Sequence, residues 1–121
     1  MGNVFSSKKA FVKECVCNYR YDNNCAHFLS NWMINNGYIK EYPTGANAYC
    51  SRGRPIRAKE MRDVFKNMGL KKHYNNDGRD CYIYCERNSD HQGHVYYGRK
   101  GKCVAGTGDG GFGADYYEYY Y

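Results

Sequence analysis

The clearest periodic pattern of apolar positions lies between residues 25 and 33. Apolar side chains recur there three and four positions apart, as on one face of an amphipathic helix: Cys25, Phe28, Leu29, Trp32 and Met33. Asn23 or Asn24 offers an N-terminal cap, and Gly37 is a typical C-terminal stop. The pattern therefore predicts a helix that begins at Cys25.

Two further helices are predicted from shorter patterns. The helix over residues 58–68 ends before Gly69 and carries one apolar face: Met61, Val64, Phe65 and Met68. A short helix is predicted over residues 8–17. The turn-forming residues of the segment 38–57 predict a loop before the second helix.

The pattern changes to alternation in the last third of the chain. Cys81, Ile83 and Cys85 alternate with tyrosines, which indicates a strand with two different faces. The glycines of residues 98–101 predict a hairpin turn between two more strands. Because helices come first and antiparallel strands follow, the order is typical of an α+β fold.

The length and composition fit a single folded domain. A chain of 121 residues with 42% hydrophobic and 25% charged residues lies in the ordinary range for one globular unit. No run of 18 apolar residues is present, so the sequence predicts no membrane-spanning helix. The predicted organisation is one domain over residues 1–113 and a tyrosine-rich tail over residues 114–121.

The charge and the first residues bear on partners and location. A net charge of +6 favours an anionic partner such as nucleic acid, acidic lipid or a cell-wall polymer. Residues 1–24 lack the apolar run of a secretory signal. Gly2 and Ser6 fit the N-myristoylation pattern, and an acylated chain would work at the cytoplasmic face of a membrane.

Cys25 is the candidate nucleophile among seven cysteines, an odd number that leaves at least one thiol outside any internal disulfide. Backbone N–H groups and the dipole at the start of a helix stabilise a thiolate. His94, at the start of a predicted strand, is the candidate base, and the preceding Gly93 allows a close approach by another group. A cysteine that begins a helix and faces a strand histidine is the arrangement of papain.

Two other interpretations of the cysteines stay open at this point. Cys81, Cys85, His91 and His94 offer metal-ligand types, but the spacer between the second and third is much shorter than in a zinc finger. In an oxidising compartment, disulfides are possible among the remaining six cysteines: Cys15, Cys17, Cys50, Cys81, Cys85 and Cys103. We expect no metal and no cofactor, and we expect His27 to lie on another helix face in a structural role.

Short motifs around the two candidate residues resemble a known family. The run Asn-Asn-Cys-Ala-His-Phe-Leu at residues 23–29, followed by Gly-His-Val at residues 93–95, resembles the NlpC-type cysteine peptidases. More closely, it is similar to the type VI secretion amidase effectors, which cleave peptide stems of peptidoglycan. Residues 57–69 lie where those effectors have a mid-chain helix that ends near Met-Gly. The resemblance implies a papain-like, NlpC-type core with N-terminal helices packed on a small antiparallel sheet.

The resemblance also implies an activity and a set of roles. Cys25 would attack an amide carbonyl, and His94 would protonate the leaving amine. In the family a third catalytic group follows the histidine, and Asp109 is the nearest acid here. The oxyanion would be held by the backbone N–H of the nucleophile and by a second donor near it: Tyr19, Tyr21 or Asn24.

The implied partners follow from the same family. They are peptidoglycan or another anionic polymer as substrate and an inhibitory immunity protein. Without a secretory signal, delivery would use a specialised secretion apparatus, and the protein would act in the periplasm or on the cell wall.

Two alternative functions have some support in the sequence. Residues 24–28 also resemble the lecithin–retinol acyltransferase type of thiol enzyme, but the catalytic histidine of that family precedes the cysteine, and no histidine precedes Cys25. A non-enzymatic nucleic-acid-binding protein would fit the net charge. Its Lys and Arg residues are scattered and no nucleic-acid-binding motif is present, so we do not expect stably bound nucleic acid.

Overall fold

The computed structural model describes residues 15–19, 21, 23–108 and 112–121. In these ranges the chain forms two helices and five strands: α1 (Cys25–Asn35), α2 (Ala58–Asn67), β1 (Lys72–His73), β2 (Asp80–Glu86), β3 (Gly93–Arg99), β4 (Lys102–Ala105) and β5 (Tyr116–Tyr120). The strands form one antiparallel sheet in the order β1–β5–β2–β3–β4. The α+β class expected from the sequence is confirmed.

The ends of α1 lie where the sequence predicts them. Asn23 Oδ1 accepts a hydrogen bond from the backbone N–H of Cys25 at 3.2 Å and so satisfies one donor of the first turn. Beyond the last turn, Gly37 adopts a φ of +78°, which a residue without Cβ takes at little cost. The N–H groups of Gly37 and Tyr38 then close on the carbonyls of Ile34 and Met33.

The main core lies between the two helices and one face of the sheet. Its members are buried side chains of both helices and of strands β2, β3 and β5: Leu29, Met33, Met61, Val64, Phe65, Tyr82, Tyr84, Val95 and Tyr120. Two of these tyrosines have a carboxylate partner: the Tyr84 hydroxyl donates to Glu86 at 2.6 Å, and the Tyr120 hydroxyl donates to Glu118. Burial of this apolar face holds α1 against β3.

The predicted tyrosine-rich tail over residues 114–121 contains a strand. Tyr116–Tyr120 forms β5, which lies between β1 and β2 and places Glu118 opposite Tyr84. Glu118 is only 2% exposed and accepts hydrogen bonds from the hydroxyls of Tyr116 and Tyr120. Buried carboxylate and hydroxyl groups are therefore partnered, which allows a run of tyrosines to occupy an interior strand.

The hairpin predicted at residues 98–101 is confirmed. Lys100 and Gly101, the two residues between β3 and β4, both have positive φ angles of +52° and +84°. This is the turn whose twist matches that of paired strands.

The opposite face of the sheet is covered by the segment that follows β4. Cys81, Ile83, Cys85 and Tyr96 are buried there, and Phe112 packs against them. Phe112 therefore packs over this face of the sheet, and the carbonyl of Gly108 reaches His94 at the start of β3.

Three expectations fall wholly or partly outside the described residues. They are the acylation at Gly2, the role of Asp109, and the predicted helix over residues 8–17, of which only the last residues are described. Those last residues form a turn in which the N–H of Asn18 donates to the carbonyl of Cys15 at 3.0 Å. In the described ranges neither helix is long and apolar enough to cross a membrane.

Candidate active site

Cys25 and His94 line one cavity of about 360 Å³ at the start of α1. Asn23, Asn24 and Gln92 contribute polar side chains to the same cavity. Cys25 is 2% exposed, and its Sγ lies 4.0 Å from the carbonyl oxygen of Gly93. The predicted nucleophile and the predicted base, which are far apart in sequence, therefore lie beside the same cavity.

The imidazole of His94 is oriented by a backbone group. Its Nε2 lies 2.7 Å from the carbonyl oxygen of Gly108. A carbonyl oxygen can only accept, so Nε2 carries the hydrogen of the neutral ring, and Nδ1 is the basic nitrogen. The ring of Phe112 stacks on the imidazole with centroids 5.2 Å apart.

Arg87 fixes the segment that carries Phe112. Its guanidinium lies 4.4 Å from the centroid of the Phe112 ring and donates to the Phe112 carbonyl at 3.3 Å. The same guanidinium pairs with Asp90 at 2.8 Å. Because the Phe112 ring stacks on His94, the contacts of Arg87 with Phe112 also help to fix the imidazole ring.

Gly93 is required by close packing next to the base. A Cβ at this position would lie 2.8 Å from the ring of Tyr84. The sequence predicts a close approach at Gly93, and the approaching group is this aromatic ring.

The three predicted oxyanion donors are arranged differently. Asn24 lines the cavity, and its Oδ1 accepts the backbone N–H of Tyr21 at 3.0 Å. The rings of Tyr19 and Tyr21 pack on each other, and that of Tyr21 packs on His27. As far as the structure describes it, the cavity lining includes neither tyrosine, and their oxyanion role stays a prediction.

The orienting carbonyl of Gly108 is the part of the site that the sequence does not reveal. Asp109, the residue expected as the third group, lies outside the described residues, and its neighbour contributes a main-chain oxygen to His94. Every residue has such an oxygen, so no residue type marks the position. The only signal in the sequence is the glycine itself, which adopts a φ of +117°.

The alternative metal set of Cys81, Cys85, His91 and His94 does not converge among the described residues. Burial raises the pKa of Cys81 to about 11 and that of Cys85 to about 12. The His91 side chain is 74% exposed and lies 3.6 Å from a Glu86 carboxylate oxygen. These buried thiols are poor nucleophiles near neutral pH, since only the thiolate reacts.

A second group of sulfur and nitrogen atoms does converge, on the other side of the first turn of α1. It comprises Cys15, Cys17, His27 and Cys50, and we call it the thiol cluster. Cys15, His27 and Cys50 are buried and Cys17 is half-buried. Burial raises the pKa of Cys15 to about 12 and lowers that of His27 to about 4. His27 therefore lies on a different side of α1 from Cys25, as the sequence analysis expects.

Comparison of the chain with protein-family models, with curated proteins and with solved structures gives no match in any of the three. The geometry around Cys25 and His94 and the motifs at residues 23–29 and 93–95 are therefore the basis for assigning a function.

Proposed function

We propose that the protein is a cysteine-dependent amidase or peptidase with a papain-like catalytic arrangement. One observation carries the proposal: Cys25 at the start of α1 and His94 on β3 line the same cavity, and the Nε2 of His94 is bound to a carbonyl oxygen. That bond makes Nδ1 the nitrogen that takes the proton of the thiol. A helix-borne thiol and a strand-borne imidazole held by a third group are the working parts of a papain-type enzyme.

In the first half of the reaction Cys25 becomes acylated. Its thiol proton passes to Nδ1 of His94, and the thiolate attacks the carbonyl carbon of the amide. The tetrahedral intermediate collapses as the C–N bond breaks and the imidazolium returns the proton to the leaving amine. The products of this half are a free amine and a thioester on Cys25.

In the second half water regenerates the enzyme. His94 takes a proton from the water, and the resulting hydroxide attacks the thioester. The C–S bond then breaks, and the imidazolium returns the proton to the departing Cys25 sulfur. The products are a carboxylic acid and the Cys25 thiol. The hydrogen bond from Nε2 to Gly108 stabilises the imidazolium in both halves.

The oxyanion of each tetrahedral intermediate needs preorganised donors. The backbone N–H of Cys25 is one, and substrate binding would exchange its bond to Asn23 Oδ1 for one to the oxyanion. The side-chain amides of Asn24 and Gln92 line the same cavity and offer a second donor.

The proposed substrate is the peptide stem of peptidoglycan, which makes the protein an antibacterial effector or a cell-wall hydrolase. Support comes from the motifs at residues 23–29 and 93–95, and a net charge of +6 suits an anionic polymer. An effector of this kind acts in the periplasm or on the cell wall and is met by an inhibitory immunity protein in the cell that makes it.

Digestion of purified sacculi tests the proposal. The wild-type protein should release fragments whose masses show a hydrolysed amide bond. Cys25→Ala and His94→Ala should each lower the rate by about 10³-fold or more, because each removes a group that acts in both halves.

Two matched variants control for general damage to thiols and histidines. Cys103→Ser changes a half-buried cysteine on β4, and His91→Ala changes an exposed histidine three residues before the base. Both should keep the wild-type rate. Cleavage by folded Cys25→Ala at the wild-type rate, or no cleavage of any amide bond in sacculi by the wild type, would overturn the respective part of the proposal.

A further inference from the structure

The thiol cluster gathers four metal-ligating side chains from three separate parts of the chain. Cys15 and Cys17 belong to the turn before α1, His27 to the first turn of α1, and Cys50 to the loop between the helices. Their donor atoms, three Sγ and one imidazole nitrogen, all lie within 4.8 Å of one another. Four soft or borderline donors that meet at one point are the ligand set of a closed zinc site.

The individual separations fit a tetrahedral ion at the centre. Zn–S bonds of about 2.3 Å and Zn–N bonds of about 2.0 Å place neighbouring ligand atoms about 3.6–3.8 Å apart. The Sγ atoms of Cys15 and Cys17 are 3.3 Å apart, and His27 Nε2 lies 3.2 Å from the first and 3.4 Å from the second. Shifts of a few tenths of an ångström in side-chain torsions would bring all four donors to coordination distance.

The backbone around two of the sulfurs has the form expected of metal-bound thiolates. Cys50 Sγ accepts the N–H groups of Arg52 and Arg54, both at 3.4 Å. Cys17 Sγ accepts the N–H of Tyr19 at 3.4 Å. Such N–H···S bonds orient the sulfur atoms, as the hydrogen-bonding partners of metal ligands do.

The turn that supplies two of these N–H groups depends on Gly53. This residue has a φ of +78°, and a Cβ there would lie 2.7 Å from the ring of Tyr42. The turn is also tied to α1, because the buried Arg54 guanidinium donates to Asn31 at 2.9 Å and to Asn35 at 3.1 Å. Cys50 is therefore positioned by the fold independently of any bound ion.

Neither apolar packing nor a disulfide bond would use the whole thiol cluster. Buried cysteines often serve as small apolar side chains, but that role does not bring an imidazole nitrogen against two sulfurs. A disulfide would join only two of the three thiols, and the structure has none among Cys15, Cys17 and Cys50. Only a shared cation uses all four donors together.

We propose that Cys15, Cys17, His27 and Cys50 bind one structural zinc ion. All four positions around the metal are taken by protein, so the site is closed to substrate and serves folding. Binding forms three S–Zn bonds and one N–Zn bond and releases the thiol protons to solvent. The ion joins the turn at 15–18, α1 and the loop around Cys50. This proposal differs from the sequence analysis, which expects no metal.

Zinc content of the purified protein tests this proposal. After equilibration with zinc under reducing conditions and desalting, the wild type should retain about one zinc per chain by elemental mass spectrometry. Cys17→Ser and Cys50→Ser should each lower that content at least about tenfold. Cobalt in place of zinc should give the thiolate-to-metal charge-transfer absorption of a tetrahedral site in the wild type and should not give it in either ligand variant.

Matched variants separate this site from the proposed active site. Cys81→Ser removes a buried thiol on the face of the sheet that points away from the helices, and Cys25→Ala removes the proposed nucleophile. Neither residue belongs to the thiol cluster, so both variants should retain the metal. Cys17 is the half-buried ligand, and its variant keeps the test valid if Cys50→Ser does not fold. A wild type that retains no zinc, or ligand variants that retain as much as the wild type, would overturn the proposal whatever the result with sacculi.

Discussion

The first turn of α1 carries a cysteine and a histidine that lie in two different groups of side chains. Cys25 lines a cavity that His94 also lines, and His27 lies two residues later in the thiol cluster. Residues two apart on a helix point to nearly opposite sides, so one turn supplies both sites. One sulfur beside an imidazole and open space suits a nucleophile, whereas three sulfurs around an imidazole suit a metal ion.

The two imidazoles are also fixed in different ways. His94 Nε2 donates to the Gly108 carbonyl, which leaves Nδ1 as the basic nitrogen of the neutral ring. His27 Nε2 lies against two sulfurs instead, at 3.2 Å and 3.4 Å. Nε2 is the contacting nitrogen in both rings, so the two proposed roles, base for His94 and metal ligand for His27, follow from what faces that nitrogen: a carbonyl oxygen in one case and two sulfurs in the other.

The largest expected difference concerns the reactivity of the thiols. At pH 7 about 3% of an ordinary thiol is ionised, compared with about 10⁻⁴ of a thiol with a pKa of 11. Burial raises the pKa values of Cys81 and Cys85 to about 11 and about 12. Cys25 lines the cavity beside His94, so if it is the proposed nucleophile, alkylation of the folded protein by iodoacetamide, followed by peptide mapping, should label it at least about 10²-fold faster than either.

The pH dependence of the same labelling sharpens the comparison. The rates at Cys81 and Cys85 should rise about tenfold per pH unit up to their pKa values, because burial keeps both thiols protonated near neutral pH. The unfolded chain serves as control, since all seven thiols should then react alike. Equal rates at Cys25 and Cys81 in the folded protein would contradict the distinction.

The next effect is on stability near the cavity. Gly93→Ala would place a Cβ 2.8 Å from the Tyr84 ring, and overpacking of this kind costs about 1–3 kcal/mol. The free energy of unfolding in urea should fall by about 2 kcal/mol. In a Tyr84→Leu background the same substitution should cost much less, and an equal cost in both backgrounds would show that the ring is not the cause.

A smaller effect is expected on the orientation of His94. Gly108→Ala puts an L-residue at a φ of +117°, a conformation that costs about 1–3 kcal/mol, so the segment should relax and shift its carbonyl. The rate of sacculus cleavage should fall about tenfold, with a changed pH profile. Gly113→Ala, at a φ of +73° in the same segment, should keep the wild-type pH profile. Identical profiles for both variants would rule out the role of Gly108.

The smallest effect tests how α1 is joined to the loop near the thiol cluster. The buried Ser30 hydroxyl donates to the Pro55 carbonyl at 2.9 Å. Ser30→Ala should lower the free energy of unfolding in urea by about 1 kcal/mol, the usual value of one buried hydrogen bond. Ser51→Ala, at an exposed position of the same loop, should change it by less than about 0.5 kcal/mol. Equal effects would argue against the link.

Local signals were sufficient for the parts of the fold that depend on near neighbours. The helical spacing from Cys25, the stop at Gly37 and the turn at Lys100 and Gly101 all have the predicted form. The juxtaposition of Cys25 and His94 was expected from the likeness of residues 23–29 and 93–95 to papain-like enzymes, since local signals place each residue only on its own helix or strand. Strand β1 has two residues, too few for any periodic pattern.

Other features depend on contacts that are distant in sequence. The tyrosines of residues 116–120 do not alternate with polar residues, and only the burial of Glu118 among their hydroxyls explains an interior strand there. The thiol cluster was missed because its donors are spread from Cys15 to Cys50 and meet only after folding. One local feature of the thiol cluster was present in the sequence: the Cys50-Ser-Arg-Gly53 turn, in which backbone N–H groups donate to the Cys50 sulfur.

The hydrogen bond between His94 and the main chain at Gly108 has a consequence for mutational scanning. All twenty amino acids bring an identical acceptor to position 108, so no codon change can delete it. A survey that replaces side chains one at a time would therefore reach this acceptor only indirectly, through substitutions such as Gly108→Ala that displace the backbone. Only a chemical edit of the backbone, such as an ester or thioamide introduced at that linkage, would remove or weaken the acceptor itself.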